Sequence, residues 1–203
     1  MTRLILVRHG ETDHNLKNKY CGFSDPPLND KGIRQARRLA DRLKETRIDK
    51  VYSSDLKRAY QTADIVFKDR SIEKFSDLRE MNFGIFEGLK YEEIIKKYPE
   101  LYREWIIDPI EVKIPGGEGL VDLSKRVKKR LHVILSRHKG ENVAVITHGG
   151  PIGVILCEDL RRFWQIKQEL GALNIIDYTD GLSPLVVKEN DSSHIKTKEE
   201  SIL

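Results

Sequence analysis

At 203 residues the chain has the length of one compact domain with its own hydrophobic core. Its 36 basic residues are interspersed with 32 acidic ones, a diffuse balance that argues against nucleic acid as the partner, and no run of about 18 apolar residues is present to span a bilayer. Cys21 and Cys157 match no metal-ligand spacing, so neither a disulfide framework nor a zinc site is implied.

The first element is the apolar run Leu4 to Val7, which ends in Arg8-His9-Gly10 and reads as a strand. It is too short for the core of a secretory signal, so a cytoplasmic location is expected. Residues 29 to 46 predict a helix with Ile33, Ala36, Ala40 and Leu43 along one stripe and Asn29 as its N-cap. Lys50 to Ser53 reads as a second strand. Asp55 is then the expected cap of a helix that turns Ala59, Ala63, Val66 and Phe67 inward. Residues 91 to 105 predict another helix, and after Pro115-Gly116-Gly117 a long helix runs to about Arg137. Lys125, Arg126, Lys128, Lys129 and Arg130 are taken as its solvated face. Asn142 to Thr147 reads as a buried strand, with Pro151 in the first turn of the next helix. Asn174 to Tyr178 and Leu185 to Lys188 predict two closing strands around a turn at Asp180-Gly181. Helices alternating with strands imply an α/β fold, a three-layer sandwich with a mostly parallel central sheet flanked by helices. Residues 1–189 form the expected single domain, and the polar segment 190–203 is expected to be a mobile tail.

Two segments share one design. Leu4 to Gly10 and Val143 to Gly150 each run an apolar strand straight into a histidine followed by glycine. In open parallel sheets ligands bind beyond the carboxyl ends of the strands, where His9 and His148 would lie. Gly10, Gly149 and Gly150 would let the backbone approach a ligand, and helix N-termini just beyond would offer free N–H groups to an anion. His14, His132, His138 and His194 have no such setting and read as surface or structural residues. Arg58, in the first turn after a strand, can join Arg8 at the crevice, and two planar guanidinium forks suit the oxygens of one phosphoryl group.

Five segments carry a resemblance: Arg8-His9-Gly10-Glu11-Thr12, Ser53 to Ala63 with Arg58, Leu78-Arg79-Glu80-Met81-Asn82-Phe83-Gly84-Ile85-Phe86-Glu87-Gly88, Pro115-Gly116-Gly117-Glu118 and Thr147-His148-Gly149-Gly150. In that order they resemble the histidine phosphatase family, also called phosphoglycerate mutase-like, from Thr2 to about Tyr178. The resemblance implies that His9 is the nucleophile and that Arg8, Arg58 and His148 bind and stabilise the phosphoryl group. Glu80 matches the family's proton donor, with Glu11 and Glu87 as weaker competitors, and Asn15 matches a polar residue of the phosphate pocket. Gly149 is counted with the substrate-binding residues. No metal and no cofactor is implied. For this chemistry His9 must be neutral with its second ring nitrogen held by a backbone carbonyl, expected at or near Gly10. Glu80 must carry a proton to the leaving oxygen, which partial desolvation favours.

The span from Glu80 to Pro115 is compact, unlike the longer insertion of the mutases, and His14 stands where mutases usually have an aromatic residue. Both features favour the shorter phosphatase branch, in which the segment from Leu78 to Gly88 is similar to α-ribazole phosphatases. The expected partner is therefore a small phosphorylated metabolite, α-ribazole 5′-phosphate being one candidate. Phosphoserine or broad-range phosphatase, phosphoglycerate mutase and a noncatalytic phosphate-binding module are the alternatives, and monomer and homodimer both stay open. Specificity is expected in the pocket walls, at Cys21 to Ser24, Met81 to Phe86 and residues 91 to 114. Gly119 replaces a serine common in the family, which would weaken a helix cap.

Overall fold

The structure, a computed structural model, describes residues 1–179 and 184–195. Six strands make one sheet: β1 (Thr2–Arg8), β2 (Lys50–Ser54), β3 (Ile72–Phe75), β4 (Asn142–Thr147), β5 (Leu173–Tyr178) and β6 (Leu185–Asp191), in the spatial order β3-β2-β4-β1-β5-β6. β1 pairs parallel with β4, β4 with β2 and β2 with β3, whereas β5 runs antiparallel to both β1 and β6. The helices are α1 (Asp13–Leu16), α2 (Asp30–Leu43), α3 (Lys57–Val66), α4 (Tyr91–Lys97), α5 (Pro99–Ile107), α6 (Leu120–Arg137) and α7 (Gly149–Leu156). No helix among the described residues is long and apolar enough to cross a membrane.

Alternation along β1 and β4 builds the three layers. Ile5, Val7, Ala144 and Ile146 face α2 and α3 through Leu39, Leu43, Ala59 and Ala63. Leu4, Leu6, Val143 and Val145 face the opposite side, where α6 and α7 supply Leu131, Ile134 and Ile152. All four apolar residues of β1 are fully buried, each worth roughly 1.5–3 kcal/mol of burial, which fixes the strand that ends at His9. A third cluster joins Met81 and Phe86 to Trp105 of α5 and to Leu123 and Val127 of α6, walling one side of the cleft.

Several expectations shift. Asn29 does cap α2, accepting the Gly32 N–H at 2.9 Å, but Leu39 centres the buried stripe while Ile33 and Ala40 are only half-buried. Asp55 is not a cap: it forms a two-pronged pair with Arg79 at 2.7 Å for each bond, and Asp25 accepts the Lys57 N–H at the head of α3. The helix over 91 to 105 is two helices, broken at Tyr98, where the following Pro99 disfavours helical backbone. Gly119 does head α6 without a side-chain cap, and Asp122 accepts its N–H at 3.2 Å. The basic face of α6 is not uniformly solvated, since Arg126 and Arg130 are partly buried in hydrogen bonds. β6 extends to Asp191, Asn190 accepts the Glu169 N–H at 2.7 Å and Arg38 donates to the Ile195 carbonyl, so the packed chain reaches past residue 189. The turn at Asp180-Gly181 and residues 196–203 lie outside the described residues.

Candidate active site

His9 and His148 stand at the carboxyl ends of the adjacent parallel strands β1 and β4, joined by the His9 N–H to the Thr147 carbonyl at 3.0 Å. Their ring centroids are 5.0 Å apart. His9 Nδ1 lies 2.7 Å from the Gly10 carbonyl, the contact sought from the sequence. A carbonyl only accepts, so Nδ1 carries the proton and Nε2 presents its lone pair. Arg58 Nε donates to that Nε2 at 3.2 Å. Burial, with the charges of Arg58 and Arg8 close by, pushes His9 well below the usual histidine range, which keeps the ring neutral.

Arg58 sits in the first turn of α3 yet is 1% exposed. Its guanidinium is held by the carbonyls of Ser24 and Gly22, each at 2.7 Å, and of Cys21 at 3.3 Å. The amides of that loop belong to Glu87, whose carboxylate accepts the N–H groups of Gly22, Phe23 and Ser24 and the Ser24 hydroxyl. Glu87 is thus engaged in shaping the loop that aims Arg58. Glu11 is likewise occupied, by Lys31 and Asn29.

His148 is fully buried at the N-cap of α7, with Nε2 2.9 Å from the Ser54 hydroxyl and Nδ1 buried with no partner among the described residues. Burial and the neighbouring Arg58 push it well below the usual range too. Arg8 donates through Nη1 to the Gln168 carbonyl, while its buried Nε has no partner among the described residues. Buried polar atoms normally have partners, so two unmatched ones among converging cationic and imidazole groups mark a ligand seat.

Glu80 closes the site. Its carboxylate accepts the Met81 N–H at 2.8 Å and the Gly150 N–H at 3.0 Å, lying across the start of α7. A Cβ at Gly150 would come within 2.2 Å of Glu80 Oε1, and one at Gly10 within 2.6 Å of the Gly32 carbonyl. Gly10 therefore makes room for the protein's own backbone, contrary to the expected approach to a ligand, whereas Gly149 and Gly150 line the cleft. Asn15 uses its carbonyl on the Thr12 N–H and hydroxyl and lines the cleft.

The cleft has two lobes that share Arg8, Glu80 and Phe83. One, of about 420 Å³, is polar and lined by His9, Asn15, Lys19 and Tyr20 among others. The other, of about 190 Å³, is walled by Met81, Phe163, Trp164 and Ile166. Cys21, Met81 and Phe83 are wall residues as expected, but no residue of 91 to 114 lines either lobe. That segment acts from behind, Trp105 packing on Trp164 with centroids 4.9 Å apart. Trp164 and Gln168 gave no signal in the sequence, because a short 3-10 segment (Leu160–Gln165) and the loop after it reach the site only by tertiary packing. Among the described residues no cluster of three or more His, Cys, Asp or Glu is placed to hold a metal ion.

A mostly parallel α/β sheet with histidines at the ends of two adjacent strands, with the buried Arg58 and the half-buried Arg8 beside them, defines a class of phosphoryl-handling enzymes. The chain belongs to the histidine phosphatase superfamily (branch 1), whose family model matches residues 4–191, and it is a phosphatase. It is 34% identical over 201 residues to phosphoserine phosphatase 1 of Hydrogenobacter thermophilus, covering 96% of this chain and 95% of the relative. Phosphoglycerate mutase-like protein 4 of Arabidopsis thaliana is 46% identical over 199 residues, covering 95% and 86%. The adenosylcobalamin/alpha-ribazole phosphatase of Salmonella typhimurium is 30% identical over 191 residues, covering 91% and 95%. Among solved structures, Bacillus stearothermophilus YhfR superposes with a TM-score of 0.90 at 32% identity, covering 97% of this chain and all of that one.

Proposed function

We propose that this phosphatase hydrolyses a small phosphomonoester without metal or cofactor, through a phosphohistidine on Nε2 of His9. The observation that carries the reading is the tautomer fixed by the Gly10 carbonyl, which leaves the Nε2 lone pair at the arginine- and histidine-lined seat. In the first step Nε2 forms a bond to phosphorus as the bond to the leaving oxygen breaks. Arg8, Arg58 and His148, with Asn15 at the rim and Gly149 opening the start of α7, bind the phosphoryl oxygens. Glu80 gives its proton to the departing alkoxide. Water then attacks the phosphohistidine, Glu80 takes the proton back, and orthophosphate leaves with His9 restored.

The leaving group is the next question. The apolar lobe beside Glu80 suits a group with an apolar face, which favours α-ribazole 5′-phosphate over phosphoserine as the substrate. A cytoplasmic location is part of the same reading. Brief reaction with labelled substrate followed by denaturation should leave an acid-labile, base-stable phosphoryl label, lost in His9→Ala together with turnover. A label on serine or aspartate would sink the mechanism. Turnover should persist in EDTA, and a panel of α-ribazole phosphate, phosphoserine and 3-phosphoglycerate, assayed by phosphate release, ranks the substrates.

A further inference from the structure

The backbone that carries Glu80 has little regular structure of its own. Between β3 and α4 it passes through two single-turn 3-10 segments, Ser76–Leu78 and Gly84–Phe86, so its buried carbonyls need partners from elsewhere. Four successive carbonyls find side chains. Those of Asp77 and Arg79 accept from Arg126 Nη1 at 2.9 and 2.7 Å, that of Leu78 from the Thr147 hydroxyl at 2.6 Å, and that of Glu80 from Arg126 Nη2 at 2.8 Å. Arg126 also holds the Glu118 carboxylate, through Nε at 2.9 Å and Nη2 at 2.5 Å. These five bonds match the five N–H groups of one guanidinium. Glu118 in turn accepts the Asn82 N–H at 3.0 Å, and its own N–H donates to the Asn82 carbonyl at 3.0 Å. The chain is therefore gripped on both sides of Glu80, although neither Arg126 nor Glu118 lines the cleft.

We propose that Arg126, braced by Glu118, is a positioning residue that sets where Glu80 delivers and recovers its proton. The proposal rests on the reading of Glu80 as the acid and base of the reaction. Misplacing a reacting group by about 1 Å can cost roughly 10²-fold in rate, so a fork that fixes the Glu80 backbone controls the proton-transfer step while leaving His9 alone. Lysine cannot take its place, because a point charge on a flexible stem does not reproduce five directed bonds. The charge of Arg126 also reaches His148, where it helps hold the ring neutral, and a lysine would preserve that effect.

The test is a kinetic cycle of Arg126→Met, Glu80→Gln and the double variant, run on β-glycerophosphate, whose alkoxide needs a proton, and on p-nitrophenyl phosphate, whose phenolate does not. Arg126→Met should lower kcat/KM, which reports only the steps up to departure of the leaving group, about 10-fold or more on β-glycerophosphate and by less than about 3-fold on p-nitrophenyl phosphate. Added to Glu80→Gln it should cost almost nothing further, because the group it positions is already gone. Arg126→Lys should recover little. Equal losses on both substrates, multiplying losses in the double variant, or full recovery with lysine would each overturn the proposal. If a melting curve shows Arg126→Met unfolded, Arg126→Lys and Glu118→Gln carry the same cycle. Should Glu80→Gln itself lower kcat/KM equally on both substrates, the reading of Glu80 as proton donor fails and the role of Arg126 falls with it.

Discussion

The two banks of the cleft are built by different means. On one, His9 and His148 hang from the ends of paired central strands, with Arg58 at the head of a helix, all within the buried core. On the other, Glu80 rides an irregular segment whose shape is imposed by Arg126, Glu118 and Thr147. The His9 bank inherits its geometry from the sheet. The Glu80 bank is held by a few side chains, so a substitution there is expected to disturb it while the fold stands.

After the loss of turnover expected of His9→Ala, the largest effect expected on the sheet-built bank is that of His148→Ala. It should lower kcat on p-nitrophenyl phosphate by about 10²–10³-fold, the range for loss of one preorganised transition-state donor, while labelling of His9 persists more slowly. Complete loss of labelling would mean that His148 takes part in the covalent step itself. A smaller effect is expected across the cleft from Gly150→Ala. The new Cβ needs the place of Glu80 Oε1, the mobile end of a side chain, so the carboxylate should yield. About a 10-fold loss of kcat/KM on β-glycerophosphate, with that on p-nitrophenyl phosphate spared and melting little changed, would show that the Glu80 bank is separable. Equal losses on both substrates would join the two banks into one unit.

The smallest effect is a pH response of the rigid bank. Folding lowers the pKa of His9 and His148 below the ordinary 6.5, so below that pH the unfolded chain binds protons that the folded chain refuses. Stability contributed by these rings is therefore full above about pH 6.5 and is lost progressively as pH falls toward their folded values. The ring nitrogens of His9 should keep neutral-imidazole ¹⁵N shifts as the pH falls through 6.5 while the melting temperature declines. Protonation of His9 near pH 6.5 would contradict the buried, arginine-flanked site.

What the sequence made legible follows the same division. β1 and β4 could be read because doubly buried parallel strands are written as unbroken apolar runs, and each ends in His-Gly. β3 was missed because Ile72–Phe75 is a half-exposed edge strand with two charged residues. Glu80 itself was found only through resemblance, and its supports were hidden. Arg126 and Arg130 look like two more members of a basic helical face until the carbonyls and the Asp77 carboxylate they meet, about 50 positions away in the chain, are in place. The loop from Cys21 to Ser24 was named as a wall, but its grip on Arg58 and its dependence on Glu87 are contacts between distant segments that local spacing does not encode. The break at Pro99 was readable from the residue alone.

The position of β1 carries a consequence for how the molecule comes into being. Synthesis of β1 precedes that of both its neighbours, since β4 and β5 lie far along the chain. During translation Leu4 to Val7 must wait, uncovered, until most of the domain has emerged, a high-contact-order arrangement that slows folding and exposes an adhesive segment. The same delay acts as a safeguard. His9 is made early and its partner His148 well past the middle of the chain, so no partly made molecule that lacks β4 holds the assembled site.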